Sequence, residues 1–301
     1  MRTLFILITM IGVGDLAIAQ DQLLIDLSYY GDIMVNAYEA RHRVRAKVEF
    51  DQLIDTYVNE GHYKSDDWEA IEPYTRLQES EDESLVIVTY QVNTGDYPYE
   101  YGGYVIHNEK ITKLKHTSKL DPDSQYQEYS AEDWYGALYY NLLPIQGNNM
   151  SYLIFGYHYG KEFDKTKLID VITFSDDGSI TFGKEIFITR AEEGRDDIKQ
   201  RFLLEYSSDT NATLNYNESI DMIVFDHLMP RMGQQAGQGN TYVPDGTYEG
   251  YLFDRGSYVY VEKIFDHIYD EAPRPEPVFN SGKGGKRDIM GNEKRSTKSR
   301  N

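Results

Sequence analysis

Asp226 and His227 stand together at the end of the apolar run Met222-Ile223-Val224-Phe225, and the turn Pro244-Asp245-Gly246 adds a further carboxylate. A histidine beside carboxylates can act as a general base or supply ligands to a divalent metal. These three residues are therefore the candidate catalytic set of a metal-assisted hydrolase. Neighbouring positions on a strand point to opposite faces, however, so Asp226 and His227 do not readily share one ligand. The expectation is that they are structural, a hydrogen-bonded His and a turn Asp, and that no metal or other cofactor is bound.

The same dipeptide recurs at Asp266-His267, where a second pair could complete a metal site. No His-x-x-x-His spacing accompanies either pair, and the absence of Cys excludes thiolate zinc sites and thiol nucleophiles. No Gly-x-Ser-x-Gly elbow occurs. Asp121, Asp123, Gln125 and Glu132 have calcium-loop spacing, but Tyr126 stands where that loop requires Gly. Gly282-Lys283-Gly284-Gly285-Lys286-Arg287 is no phosphate loop either, since no strand precedes it and no Ser or Thr follows the Lys.

The second kind of chemistry is recognition. The chain carries 27 Tyr and 2 Trp, concentrated in Tyr97-Pro98-Tyr99-Glu100-Tyr101-Gly102-Gly103-Tyr104 and again at Tyr135, Tyr139 and Tyr140. Tyrosine combines rigid apolar area with a polar tip, which suits peptide or glycan binding. Tyr97, Tyr99, Tyr101 and Tyr104 read as a binding loop because Pro and Gly interrupt them. Tyrosine also fits half-buried strands, and that reading covers the remainder.

Such residues need a scaffold. From Leu85 to Lys263 the chain alternates short β-branched and aromatic runs with Gly, Asn, Asp and Pro, which reads as strands. Tight connections such as Asp176-Asp177-Gly178 and Asp254-Arg255-Gly256 predict antiparallel pairing of successive strands. Helical crossovers are missing, so the expected fold is mainly β: an antiparallel multi-strand sandwich, barrel or propeller-like meander, preceded by an N-terminal helix. Ile33, Ala37, Ala40, Val44, Val48, Leu53 and Tyr57 recur at helical spacing and predict one long or broken helix between Ser28 and Asn59. Its basic run Arg41-His42-Arg43-Val44-Arg45-Ala46-Lys47 reads as a solvated face, with docking of an acidic partner as the alternative. His116–Asp133 and His227–Val243 read as long loops, the second rich in Gly and Gln.

Arg2, the apolar run Leu4–Val13 and Ala17-Ile18-Ala19 have the pattern of a secretory signal peptide. The expected organisation is a signal peptide over 1–19, a helical segment over 20–80, an antiparallel β domain over 81–271 and a disordered tail over 272–301. That tail has Pro273, Pro275 and Pro277 followed by seven Lys and Arg against two acidic residues from Lys283 onward, a segment charge of +5. The whole chain is at −20, which argues against a nucleic-acid partner. No transmembrane helix is expected in the mature chain.

Several segments together resemble exported proteins of unassigned function from bacteria of the Bacteroidetes group. They are Trp134-Tyr135-Gly136-Ala137-Leu138-Tyr139-Tyr140-Asn141, Phe155-Gly156-Tyr157, Lys167-Leu168-Ile169-Asp170-Val171-Ile172-Thr173-Phe174, Met222-Ile223-Val224-Phe225-Asp226-His227-Leu228 and Tyr242-Val243-Pro244-Asp245-Gly246-Thr247-Tyr248. The resemblance implies export to the periplasm or the medium and carries no site residues with it. The expected function is a non-catalytic binding module for an envelope protein or glycan, with the hydrolase using Asp226 and His227 as the alternative. An outer-membrane barrel ranks last, because most runs fall short of the ~9–11 residues a spanning strand needs. N-terminal sequencing of the exported protein should find Gln20 as its first residue; Met1 there would refute the signal peptide.

Overall fold

A run that is apolar at nearly every position makes a strand only where both of its faces are covered. Leu85-Val86-Ile87-Val88-Thr89-Tyr90-Gln91-Val92 is such a run, and the fold supplies cover on both sides. The computed structural model describes residues 21–64, 66–191 and 194–264. The segment 1–19 expected to be a signal peptide, Asp266-His267 and the expected disordered tail over 272–301 lie outside the described residues.

Four layers stack: helices, then three β-sheets. The helix layer is α1 (residues 21–36) and α2 (Ala40–Asn59). The first sheet is the meander β1 (Arg76–Glu79), β2 (Leu85–Val92), β3 (Glu100–His107) and β4 (Lys110–Leu114), antiparallel throughout. The second contains β5 (Tyr129–Ser130), β6 (Leu138–Ile145), β7 (Asn148–His158), β8 (Asp164–Phe174) and β9 (Ile180–Phe182) in the order β5-β9-β8-β7-β6. Along the first half of β8 it also takes β12 (Phe202–Ser207). The third runs β11-β10-β16-β15-β14-β13, built from β10 (Phe187–Thr189), β11 (Asp197–Lys199), β13 (Leu214–Asn217), β14 (Met222–Met232), β15 (Asn240–Asp254) and β16 (Ser257–Val261).

Strand alternation distributes side chains among three cores. Val86, Val88, Tyr90 and Val92 of β2 meet Ala46, Phe50, Ile54 and Tyr57 of α2, which recur every three or four residues as one helical stripe. Leu85 and Ile87 face the other way, onto Tyr152 and Ile154 of β7 and Leu168 and Ile172 of β8. Leu153, Phe155, Ile169 and Val171, the alternate residues of those two strands, pack on Ile223, Phe225 and Tyr251 of the third sheet. Full burial of each such side chain stabilises the fold by ~1.5–3 kcal/mol. Gly102 makes room in the first core: a Cβ there would lie 2.2 Å from the Tyr90 ring, whose hydroxyl reaches Asp51 at 2.8 Å.

The fold is thus a mainly β, α+β stack of sheets, and among the described residues none closes into a barrel. Several expectations change in detail. The helix breaks at 37–39, where Arg43 Nη1 donates to the carbonyls of Ala37 and Tyr38 at 2.7 and 2.8 Å and Nε donates to Asn93 O at 2.6 Å. That member of the basic run is therefore a clamp rather than a solvated charge. Strand β1 falls inside the segment expected to be helical. The stretch His227–Val243, expected as a loop, is mostly the two arms of the β14–β15 hairpin, and only 233–239 form its end. Among the described strands antiparallel pairing has one exception, the parallel contact of β10 with β16, and an isolated parallel bridge joins His116 and Trp134. Among the described residues no helix is long and apolar enough to cross a membrane.

One charged group interrupts the central core. Asp170 sits in the apolar run of β8, and its carboxylate accepts from Arg201 Nε at 2.8 Å with both side chains fully buried. Arg201 also donates to the carbonyls of Gln127 at 2.7 Å, Phe182 at 3.1 Å and Ser124. Its guanidinium lies 4.8 Å from the Tyr129 ring and 5.2 Å from the Tyr135 ring. Tyr135 Oη donates to Asp170 at 2.7 Å and meets Tyr139 Oη at 3.0 Å, which accepts from Trp134 Nε1 at 2.9 Å. Burial pushes the Asp170 carboxyl above the usual carboxylate range, against the pull of Arg201. Removing one partner of a buried pair leaves the other uncompensated. Arg201→Met should therefore lower folding stability by ~3–5 kcal/mol, and Asp170→Leu with Arg201→Met by less than the sum of the single changes. Urea unfolding of the three variants measures this.

Candidate functional site

The first and second sheets stack so that the start of β3 meets the end of β7. Tyr99 N donates to Tyr159 O at 3.0 Å, and Tyr159 N donates to Tyr101 Oη at 2.6 Å. These two bonds stitch the sheets at one end and bring three tyrosine rings together. The Tyr99 ring lies on Tyr159 at 4.7 Å with planes 13° apart, and Tyr97 lies 5.6 Å from Tyr99 and 6.1 Å from Tyr159. Tyr157 meets Tyr159 edge-on at 5.7 Å. The three centroids form a triangle rather than a column. Tyr97 is 40% exposed, and Tyr99 and Tyr159 are partly so.

The cluster is held from below. Asn93 Nδ2 donates to Tyr99 Oη at 2.7 Å, and Lys165 Nζ lies 5.7 Å from the Tyr159 ring. Burial and the neighbouring Tyr97 and Tyr159 push the Tyr99 hydroxyl up to about 12, so it remains a hydrogen-bond donor at neutral pH. Tyr101 forms the floor, stacked on His158 at 5.2 Å and edge-on to His116 at 5.3 Å. Its backbone N–H donates to His116 Nδ1 at 3.2 Å. Gly136 permits this floor: a Cβ there would lie 2.5 Å from the Tyr101 ring, and its φ of +77° suits glycine. The His158 Nδ1–H donates to Gly136 O at 2.7 Å.

The expected binding loop therefore divides. Tyr101 and Tyr104 are not loop residues but belong to β3, 4% and 1% exposed, and their parity sends them to opposite cores. Tyr104 points to the helices, where its hydroxyl donates to Asp55 at 2.9 Å. Tyr97 and Tyr99 precede the strand and stay at the surface. Tyr157, His158 and Tyr159 were missed by sequence reasoning. Their signal was Tyr157-His158-Tyr159-Gly160, an aromatic string at a strand end like that around Tyr97.

The acid–base candidates divide, with His227 and Asp245 brought together and Asp226 apart. Asp226 is 7% exposed and accepts from Thr213 Oγ1 at 2.8 Å and Thr213 N at 2.5 Å. Burial raises its carboxyl above the usual range. His227 sits on a bulge, where the register jumps from Asp226 opposite Tyr248 to Leu228 opposite Pro244. Its Nδ1 meets Asp245 Oδ2 at 2.8 Å, and its Nε2 lies 3.8 Å from Glu249 Oε1. Asp245 is in turn fixed by Thr247 N and Oγ1 at 2.9 and 2.7 Å. Burial acts to raise Asp245, but the bonds from Thr247 and His227 outweigh it and hold the carboxyl low. Asp226 and His227 thus have different partners, as strand geometry requires. Among the described residues no group of three or more His, Asp or Glu is placed to hold a metal ion. Of the calcium-like spacing, Asp121 caps the short turn Pro122–Tyr126 by accepting from Ser124 N at 3.1 Å.

His158 gives the site a pH dependence. Burial lowers its pKa from 6.5 to about 4, opposed by the Gly136 bond and aided by His116. The folded state keeps the ring neutral, whereas the unfolded chain protonates it near its ordinary value. Its stabilising effect is whole above pH 6.5 and declines toward pH 4, by up to about 3 kcal/mol. Unfolding free energies measured across that window should show this slope in the native chain and lose most of it in His158→Phe.

Compared with known proteins, the chain matches no protein-family model, no curated protein and no solved structure, so its site rests on its own geometry.

Proposed function

We propose that this protein is an exported, non-catalytic binding module whose recognition surface is the cluster Tyr97, Tyr99 and Tyr159. The observation that carries this reading is the cluster itself: three partly exposed rings with centroids 4.7–6.1 Å apart, anchored by the backbone bond from Tyr99 to Tyr159 and the bond from the Tyr159 N–H to the Tyr101 hydroxyl. Rings already fixed lose little conformational entropy when a partner covers them, so most of the area buried on contact contributes to affinity. Tyrosine edges and hydroxyls suit a partner with closely mixed polar and apolar surface, which describes a glycan or a polar protein face of the cell envelope. Export is supported by Arg2, the apolar run and Ala17-Ile18-Ala19.

Tyr97→Ala with Tyr159→Ala should weaken binding to immobilised envelope glycans or envelope proteins by ~2 kcal/mol or more while leaving the melting temperature close to the native value. Tyr101→Ala, from the buried floor, should instead cost ~3–5 kcal/mol of stability. Unchanged binding by the double variant would refute the tyrosine cluster as the recognition surface.

A further inference from the structure

The charges around the tyrosine cluster bear on what it takes. Two cations flank it from separate layers. Lys165 of β8 stands over the Tyr159 ring at 5.7 Å. Arg43 of α2 lies near Tyr99, where its charge opposes the rise that burial gives that hydroxyl. Among the described residues neither cation forms an ion pair: the Arg43 guanidinium donates to the carbonyls of Ala37, Tyr38 and Asn93, and the Lys165 ammonium has the Tyr159 ring. Lys161, four residues before Lys165, takes Glu205 at 2.6 Å instead. In a chain with 50 acidic residues against 30 basic ones, two cations without carboxylates beside one cluster leave a place for an anion. Charges on the rest of the surface are largely screened beyond ~8–10 Å at physiological ionic strength.

Hydrogen bonding has the same bias. Asn93 Nδ2 donates to Tyr99 Oη at 2.7 Å, and that hydroxyl is hydrogen-bonded in turn to Tyr97. An amide N–H can only donate, so Tyr99 passes its own proton to Tyr97. The proton left over is that of Tyr97, the most exposed of the three rings. Tyr157 donates likewise to Tyr159 and leaves that hydroxyl its proton. Burial holds the Tyr99 and Tyr159 hydroxyls above their ordinary range, so both stay protonated at neutral pH and each relay ends in a donor. Donors flanked by cations are complementary to an acceptor-rich anion.

Resting on the reading of this cluster as the recognition surface, we infer that its partner is an acidic glycan of the uronic-acid class. A uronate carries an apolar C–H face, acceptor hydroxyls and a carboxylate on one rigid ring. The carboxylate meets Lys165, the hydroxyls accept from Tyr97 and Tyr159, and the C–H face packs on the aromatic rings. A rigid sugar meets fixed donors with less loss of entropy than a flexible acidic side chain does, which favours a glycan over an acidic peptide.

Calorimetric titration of the full chain with oligogalacturonate and oligomannuronate tests this, each beside its carboxyl-reduced neutral counterpart. The acidic oligomers should bind saturably and about fivefold more tightly than the neutral ones. Lys165→Gln should bring acidic and neutral oligomers to within about twofold, whereas Lys161→Gln, which removes a lysine already paired with Glu205, should keep the preference. Urea midpoints confirm that each variant is folded. Absence of saturable binding by both acidic oligomers would overturn the inference, as would an equal loss of preference in Lys161→Gln or a glutamate octapeptide that binds as tightly as the uronates. If acidic and neutral oligomers bind equally and Tyr97→Ala with Tyr159→Ala loses both, the uronate assignment falls while the tyrosine surface stands. If that double variant binds every oligomer as the native chain does, the tyrosine surface itself falls.

Discussion

The pairing of Asp170 with Arg201 is the interaction on which the middle of this molecule depends. A charge in the centre of an apolar stack is tolerable only when every lone pair and proton near it is used. Arg201 therefore gathers the carbonyls of Gln127 and Phe182 and the rings of Tyr129 and Tyr135 around itself. In doing so it fixes the path of the irregular chain between the first and second sheets. The hydroxyls of Tyr135 and Tyr139 extend the same network to Trp134, so three large aromatic side chains are oriented as well as buried. Apolar packing alone would fill this volume but would not dictate which carbonyl faces which strand.

Much of the fold was legible because two-sided burial leaves a plain mark. Leu85–Val92 and the run from Leu168 to Phe174 are apolar on both parities, and both became central strands. The hairpin turns at Gly178 and Gly256 were equally plain, since each has the positive φ that glycine tolerates. The far halves of the β14–β15 arms, within His227–Val243, were not legible: Gln, Gly and Pro weaken a strand signal, and long backbone pairing overrode local preference there. The role of Arg201 was also hidden. Its partner lies far off in sequence, although a lone Asp within Leu168-Ile169-Asp170-Val171-Ile172 marks a buried charge in search of a counterion.

The same reasoning explains why the candidate site was half found. Composition located the tyrosines, but it is the start of β3 at Glu100 that separates Tyr97 and Tyr99, which stay at the surface, from Tyr101 and Tyr104, and strand parity that sends those two to different cores. Tyr159 completes the cluster from another sheet, and no local pattern encodes that meeting. The support beneath the cluster, Tyr101 between His158 and His116, is itself a product of sheet stacking. Rigid backing of this kind turns a surface of aromatic residues into a shaped one.

The parallel contact between β10 and β16 bears on how the chain is assembled over time. Phe187 lies beside Tyr258, and Ile188 beside Val259, so β10 is tied into its sheet only when the last described strand arrives. The helices and the first sheet, by contrast, are built from neighbouring segments whose loops are short. Closing long loops before contacts reward them slows folding. During synthesis the N-terminal layers can therefore form early, while Leu153, Phe155 and Val171 wait uncovered for the third sheet. Late closure of that face makes the final strands the timekeepers of folding and the interval before them the period of greatest exposure to aggregation.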